Sequence, residues 1–358
     1  MTATAVPSLT ATADPPPSVS VIVPCRNEAA FVGMCLESIA ANDFPRDQLE
    51  VLVVDGMSDD GTRDTVARYA ARDPRIRLLE NPRRITPTAL NIGLAAARGE
   101  IIMRMDAHNA YPPHYISTLV TWLVRSGADN VGGAWITRPA NGTRRARAIA
   151  AALAHPFGVG NAHFRLGVRE PRWVDTVPFG CYRREVFTRI GPFDEELVRN
   201  QDDELNLRLI RHGGRILLVP AVSSTYHARE SLAKLWRTYY QYGYFKPLVV
   251  RKVRGVLTVR QLIPALFVLS VVASVVLALW VPAMALLLAV IVGAYVLVDL
   301  ACAASIAARE GLGVGLAACA VFPVLHLSYG AGFLRGTFDF LVRRRRRAHD
   351  AATVPITR

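Results

Sequence analysis

The fold class this sequence predicts is an α/β domain on a mainly parallel sheet, followed by interfacial helices and a helical transmembrane region. Three observations carry that prediction. In the first third of the chain, short apolar strands alternate with helical patterns across short connections, as in a parallel sheet with crossover helices. Two of those strands, Val51–Asp55 and the one opening at Gly99-Glu100-Ile101-Ile102, deliver aspartates at or just beyond their carboxyl ends, where open α/β sheets bind ligands. Beyond about position 260 the composition changes: from Leu262 to Leu334 only Asp299, Arg309 and Glu310 carry full charges.

Residues 1–17, ending in Ala13-Asp14-Pro15-Pro16-Pro17, lack both a basic and an apolar signal region and are expected to form a disordered leader. The expected catalytic domain spans 18–228. Ser18–Val23 is a β-branched strand broken by Pro24, and the helical stretch Glu28–Ala41 follows. Strand Glu50–Val54, an acceptor-rich turn at Asp55–Gly61 and helix Arg63–Arg72 come next. Strand Ile76–Leu79, helix Thr86–Arg98 and strand Glu100–Met105 complete the alternation, and their continuous apolar runs fit burial on both faces. After Pro112 the pattern loosens. Val131–Thr137 and Val177–Tyr182 read as strands, with an arginine-containing helix between Thr143 and Ala154. Glu204–Arg211 is helical, ended by Gly213-Gly214, and strand Arg215–Val219 leads to Tyr226-His227. Residues 229–260 form a basic amphipathic segment; within it Ser231–Phe245 has the composition of a helix in the membrane interface, a buried amphipathic helix being the alternative. In 261–334 the apolar runs Leu262–Trp280, Ala283–Ala308 and Leu312–Leu334 are each long enough for about one bilayer crossing. Residues 335–358 form a basic tail.

The net charge of +13 is concentrated around those runs: residues 229–260 carry +7 and 335–358 carry +5. That distribution fits cytoplasmic juxtamembrane sequence facing anionic lipid. No basic face marks the globular part, so nucleic acid is not the expected partner. The five cysteines show no paired spacing, which favours a reduced compartment. A cytoplasmic start followed by three crossings would put Arg343–Arg347 outside, against the positive-inside tendency, so an even number of crossings is preferred.

The chemistry centres on Met103-Arg104-Met105-Asp106-Ala107-His108. Residues i and i+2 at a strand end point the same way, so Asp106 and His108 can grip one cation; a simple turn cap is the alternative for Asp106. Asp55 can accept from the imide N–H of uracil or serve only as a turn carboxylate. Asp202 and Asp203 open a helix, where carboxylates also act as caps against the dipole.

The segments Val21-Ile22-Val23-Pro24-Cys25-Arg26-Asn27-Glu28, Val53-Val54-Asp55 with Ser58 and Asp60-Gly61-Thr62, Asn91-Ile92-Gly93 and Asp106-Ala107-His108 resemble the family 2 glycosyltransferases of GT-A fold. Gly180-Cys181-Tyr182-Arg183, Gly191-Pro192-Phe193-Asp194-Glu195 and Asn200–Arg208 extend the match over about 210 residues. The whole chain is most similar to the ExoA-like enzymes of bacterial exopolysaccharide (succinoglycan-type) assembly. The resemblance implies a mixed, mainly parallel sheet and a membrane-anchored inverting transferase. Its donor would be a nucleotide-diphosphate sugar, with UDP favoured, and its acceptor a lipid-linked saccharide. It implies nucleotide-sugar contacts from Pro24, Arg26, Asn27, Glu28, Asp55, Asp60, Asn91, Arg104 and Asp106, and acceptor-side roles for Gly180, Cys181, Gln201 and Asp203. A divalent cation, Mn²⁺ or Mg²⁺, would be held by Asp106 and His108 with His227 near the diphosphate, and Asp202 would be the general base. Two departures stand out: His108 replaces a second aspartate, and Gln201 replaces a glutamate beside the base. The imidazole keeps the site competent for Mn²⁺, while losing the glutamate should make the rise in the base's pKa smaller.

Transfer onto a polyprenyl phosphate and an inactive membrane scaffold are the other readings carried forward. A nucleotidyltransferase is disfavoured, because no Gly-rich, Lys/Arg-containing triphosphate loop lies near Pro24.

Overall fold

The computed structural model describes residues 16–254 and 259–343. The expected leader and most of the basic tail, including Arg344–Arg347, fall outside the described residues. Two units divide the chain, one built from residues up to Ile136 plus Gly167–Tyr226, the other from Thr137–Leu166 plus the residues from His227 onward. The sequence reading runs the catalytic domain unbroken from 18 to 228. The structure instead assigns 137–166 to the helical unit, because the apolar side of its helix packs against a helix more than 150 residues downstream.

The first unit begins with alternation. Strand β1 (Val19–Cys25), helix α1 (Val32–Ala40), β2 (Leu49–Asp55), α2 (Thr62–Ala70), β3 (Ile76–Glu80), α3 (Thr86–Ala96) and β4 (Ile101–Arg104) follow in order. Helix α4 (Tyr115–Ser126) and β5 (Asn130–Arg138) come next; after the excursion into the second unit, β6 (Arg172–Val174), β7 (Cys181–Arg183), α8 (Arg184–Ile190), α9 (Gln201–Arg211) and β8 (Ile216–His227) complete it. These eight strands form one sheet in the order β3-β2-β1-β4-β7-β5-β8-β6. The first four are parallel, while β7 runs antiparallel to both β4 and β5, and β6 to β8. The sheet is therefore mixed, mainly parallel at one end.

Register sets the site. Cys25 lies beside Asp55, and Ile22 beside Arg104, so the loops after β1, β2 and β4 leave the same edge. Strand order reverses between β1 and β4, which opens the crevice that ligands use in such sheets. Val21, Ile22, Val23, Leu52, Val53 and Met103 are at most 1% exposed, as strands covered on both faces require. The strand expected at Val177–Tyr182 is shorter and shifted, at Cys181–Arg183: Phe179 takes a positive φ of 47°, which breaks the extended run just before it. Helix α4, absent from the sequence reading, buries Tyr115, Ile116, Leu119, Val120 and Leu123.

The second unit contains α5 (Arg144–Leu153), α6 (Pro156–Val159), α7 (His163–Leu166), α10 (Leu232–Val253), α11 (Val259–Leu277), α12 (Ala283–Glu310) and α13 (Leu312–Thr337), the last widening into a π-helical turn at Phe338–Val342. Three stretches here, Arg260–Leu277, Ala283–Glu310 and Leu312–Val342, are long and apolar enough to cross a membrane.

Helix α3 rests on β1 through Gly93, where an added Cβ would strike Ile22 Cγ2. Gly93→Ala should destabilise the protein by about 1–3 kcal/mol, the usual cost of overpacking. Ile22→Ala, which removes Cγ2, should cost less in the Gly93→Ala background than in wild type. Thermal unfolding midpoints of the detergent-purified variants check this.

Candidate functional site

Two loops are laced together beneath the crevice. The Asn27 backbone N–H donates to Ser58 Oγ at 2.8 Å, and its side chain exchanges hydrogen bonds with Asp59. The Glu28 N–H donates to Thr62 Oγ1 at 2.8 Å, and the Ala29 N–H to Asp60 at 3.1 Å. Asp60 also accepts from the hydroxyl of Thr62, which with these backbone donors holds its carboxyl below the ordinary value. Arg26 lays its stem over Gly56, where any Cβ would press against it. Pro24 pairs in register with Val54.

Asp55 is fully buried and accepts from the Ser58 backbone N–H at 2.9 Å, from the Ser58 hydroxyl and, at 3.4 Å, from Arg63. The Cys25 thiol points at it from 3.8 Å; burial first, then the Asp55 charge, push that thiol far above its usual range.

The centre of the site is Arg104, the last residue of β4. Its Nε donates to Asp106 Oδ1 at 2.8 Å, and its Nη1 donates to both Asp202 oxygens at 2.7 and 2.6 Å. One guanidinium thus spans the strand-end aspartate and the first turn of α9. Burial works against its charge, but the two carboxylates outweigh that and keep it firmly protonated. The guanidinium lies 5.7 Å from the centre of the Phe179 ring. Asp106 is braced from behind, its N–H donating to the Tyr111 hydroxyl at 2.7 Å and its carbonyl accepting from that hydroxyl at 3.3 Å.

Asp202 keeps 34% of its side-chain surface open, yet protein encloses it on the remaining sides. Burial raises its pKa, Arg104 pulls it down, and the Asp106 and Asp203 charges push it up again; the net direction is upward. His108 is half exposed, with Nδ1 3.7 Å from Glu28 Oε1. Burial disfavours its charge, but Glu28 and Asp106 outweigh that and raise its pKa.

Strain collects here. Of the six non-glycine residues at positive φ among the described residues, Asn27, Met57, Phe179 and Asn200 lie in these loops or directly flank Arg104 and Asp202. Such residues persist only where surrounding contacts enforce them.

Several expected site residues do other work. Both ends of the Asn91 amide are committed, to the Phe193 backbone and to Glu195, so it fastens the 191–195 turn to α3. Cys181 is fully buried in the core on β7. Gly180 presents its carbonyl to the Arg104 N–H at 3.1 Å. Gln201 is 8% exposed, and Asp203 is half-buried beside it. His227 ends β8 and is exposed, in the other unit.

Sequence reasoning took Arg104 for a nucleotide contact and missed its bridging. The signal was present: on a strand, i and i+2 share a face, so Arg104 had to face Asp106. Tyr111 carried no such signal.

No group of three or more His, Cys, Asp or Glu side chains converges into a metal cage among the described residues. Asp106 and His108 nevertheless form a donor set suited to a cation whose remaining ligands come from phosphate oxygens and water, as is usual for nucleotide-bound divalent ions.

Strand-end carboxylates lining a crevice at the switch point of a mixed sheet are the frame of a glycosyltransferase of GT-A fold. The match to the family model described as glycosyl transferase family 2 covers residues 20–191. The chain is 32% identical over 329 residues to the succinoglycan biosynthesis protein ExoA of Rhizobium meliloti (strain 1021), covering 91% of this chain and 96% of that one. It belongs to glycosyl transferase family 2. It is also 27% identical over 243 residues (65% of this chain, 74% of the relative) to a dolichyl N-acetyl-alpha-D-glucosaminyl phosphate 3-beta-D-2,3-diacetamido-2,3-dideoxy-beta-D-glucuronosyltransferase of Methanococcus voltae. Among solved structures, it is similar in fold to the mannosyltransferase PcManGT from Pyrobaculum calidifontis in complex with GDP-Man and Mn²⁺. That likeness has a TM-score of 0.56 at 24% identity and covers 90% of this chain and 88% of that one.

Arg104→Met should cost on the order of 1–3 kcal/mol, the penalty of leaving enclosed charged groups unpaired. The deficit should shrink as pH falls, because a protonated Asp202, whose pKa is already raised, no longer needs the cation. Melting temperatures of wild type and variant at pH 5 and pH 8 test both the loss and its sign.

Proposed function

We propose that this protein is a membrane-anchored inverting glycosyltransferase that moves a sugar from a nucleotide-diphosphate donor to a lipid-linked saccharide, in exopolysaccharide or cell-envelope glycan synthesis. UDP is the proposed nucleotide, from the place of Asp55 in the family pattern. The observation that carries the reading is the Asp106–Arg104–Asp202 arrangement, in which one guanidinium joins the two carboxylates proposed here as metal ligand and general base. The succinoglycan role of the Rhizobium relative, matched along nearly the whole chain, supports the glycan class. The three apolar helices support placement in the cytoplasmic membrane, with the basic segments against anionic lipid and the catalytic unit facing the cytoplasm.

Asp106 and His108 would hold a divalent cation, Mn²⁺ or Mg²⁺. When bound, the cation neutralises charge on the departing nucleoside diphosphate. The protein's own groups do the rest. Asp202 accepts the proton of an acceptor hydroxyl as that oxygen attacks the anomeric carbon, and the bond to the diphosphate breaks on the opposite face, inverting configuration. The upward shift of Asp202 brings its basicity closer to working pH. Arg104 keeps the carboxylate aimed and prevents it from being neutralised outright. Asn27, Glu28 and Asp60 shape the donor loop, while Gln201, Asp203 and Gly180 frame the acceptor side.

Asp202→Asn should slow transfer by roughly 10²–10⁴-fold with donor affinity within a few-fold of wild type. Asp203→Asn should be far milder, costing about 0.3–1 kcal/mol of helix-start interaction. Single-turnover rates and donor titrations decide; a lethal Asp203→Asn beside a tolerated Asp202→Asn would move the base by one residue.

Asp106→Ala should abolish transfer in a folded protein. His108→Asp should stay active and shift its preference toward Mg²⁺, since a hard ion favours oxygen ligands. Rates with each metal over a panel of UDP-, GDP- and dTDP-sugars, with products identified by mass spectrometry, check the metal, the donor and the acceptor lipid.

A further inference from the structure

The three apolar helices are not equivalent. In the most apolar 18-residue stretch of each, 39% of residues are buried in α13, against 17% in α11 and 6% in α12. Helix α13 is covered by protein along its length. At its start, a Cβ on Gly313 would press on the Arg144 side chain. In its middle, the Phe322 ring meets Phe157 and His155, and His326 Nε2 donates to the Phe157 carbonyl at 2.7 Å. In its second half, Gly332 and Gly336 let the Tyr240 and Tyr244 backbones approach until no Cβ would fit. At its end, the Tyr244 hydroxyl donates to Asp339 at 3.0 Å, and Arg251 donates to the Phe340 carbonyl at 2.7 Å.

The covering segments carry cations throughout. Helix α5 brings Arg144, Arg145 and Arg147; α10 brings Lys234, Arg237, Lys246, Arg251 and Lys252. Contacts run in step, with residue 144 at 313, 157 at 326, 240 at 332 and 251 at 340, so cations flank the first turn of α13 and its last turns. Were α13 to cross, this escort would enter the hydrocarbon core, at about 2.5–3.5 kcal/mol per cation by insertion scales.

Helices α11 and α12 have the opposite character. No Asp, Glu, Lys, Arg or His occurs from Gln261 to Val298. The two helices are joined by a short apolar turn in which Leu279 and Trp280 are 76% and 71% exposed. They pair through the stacked rings of Phe267 and Tyr295, 4.6 Å apart. Both outer ends are tied to the polar inserted segment: Arg260 donates to Asn161 at 2.8 Å, and Glu310 accepts from Arg147 at 2.7 Å. The 19 residues of α11 span about 28 Å at 1.5 Å each, close to one hydrocarbon thickness. That length carries Trp280 to the far headgroup layer, where tryptophan is favoured.

We infer that only α11 and α12 cross the bilayer, as a two-helix hairpin with its turn at Leu279–Pro282, and that α13 lies with α5 and α10 at the interface on the side of both hairpin ends. Both chain termini are then on one side of the membrane. The inference rests on the membrane reading above, and carbonate extraction of native membranes tests that reading separately: release of the protein as a soluble species, a self-associated one included, ends both. For protein retained in the membrane, sealed vesicles carrying the full chain with a cleavable tag at each terminus are treated with external protease. Both tags should be cut in one vesicle orientation and both protected in the other; cleavage of one alone overturns the hairpin. Trp280→Cys should react with an impermeant maleimide, above the wild-type background, from the side opposite the tags. Labelling from the same side, or only after detergent, overturns the crossing.

Discussion

Everything at the catalytic end depends on one cation serving two carboxylates. Asp106 and Asp202 are nearly a hundred residues apart in sequence, and both face the same crevice. Without Arg104 the two charges would repel across a partly dry space. The guanidinium solves this by geometry: its Nε edge meets Asp106 while Nη1 meets Asp202. A lysine ammonium, a single point charge, has no fork to offer two partners at once. The antiparallel seam between β4 and β7 holds the Arg104 backbone, and Phe179 and Tyr111 fix what surrounds it. The same contact sets opposing influences on Asp202, whose pKa burial raises and the Arg104 charge lowers.

The parallel half of the fold was legible because each strand there announces itself locally, as an unbroken apolar run followed by turn residues. Asp55 and Asp106 fall at or just beyond the ends of such strands, where that pattern put them. What the chain could not disclose depends on distant partners. Asn27 with Ser58, and Asn91 with Phe193, are pairs whose members carry no mark of each other. Cys181 sits in a motif-like segment yet faces the core, because β7 is shorter than its apolar run and begins only after the turn at Phe179. Arg104 lies between these cases. Its direction followed from strand alternation, but its second partner, Asp202, comes from a helix whose approach only the folded chain reveals.

The strained residues around the site share a logic with the laced loops. Asn27 and Met57 adopt left-handed backbones so that successive N–H groups reach Ser58 and Asp55. The cost, of order 1–3 kcal/mol each, is offset by hydrogen bonds within an otherwise rigid sheet. The crevice floor is thereby built before any donor arrives, and little ordering remains to be done on binding.

The segment 137–166 has a consequence for the order in which the molecule is made. Its partners lie far downstream: Arg147 meets Glu310, His155 meets Ser305, and Phe157 meets His326, separations of 163, 150 and 169 residues. A ribosome adding about 5–20 residues per second needs on the order of ten seconds or more to cover that gap. During that interval the sheet can close around its core while the apolar side of α5 stays uncovered beside it. The nascent chain therefore displays an apolar, arginine-edged segment before the helices that cover it exist.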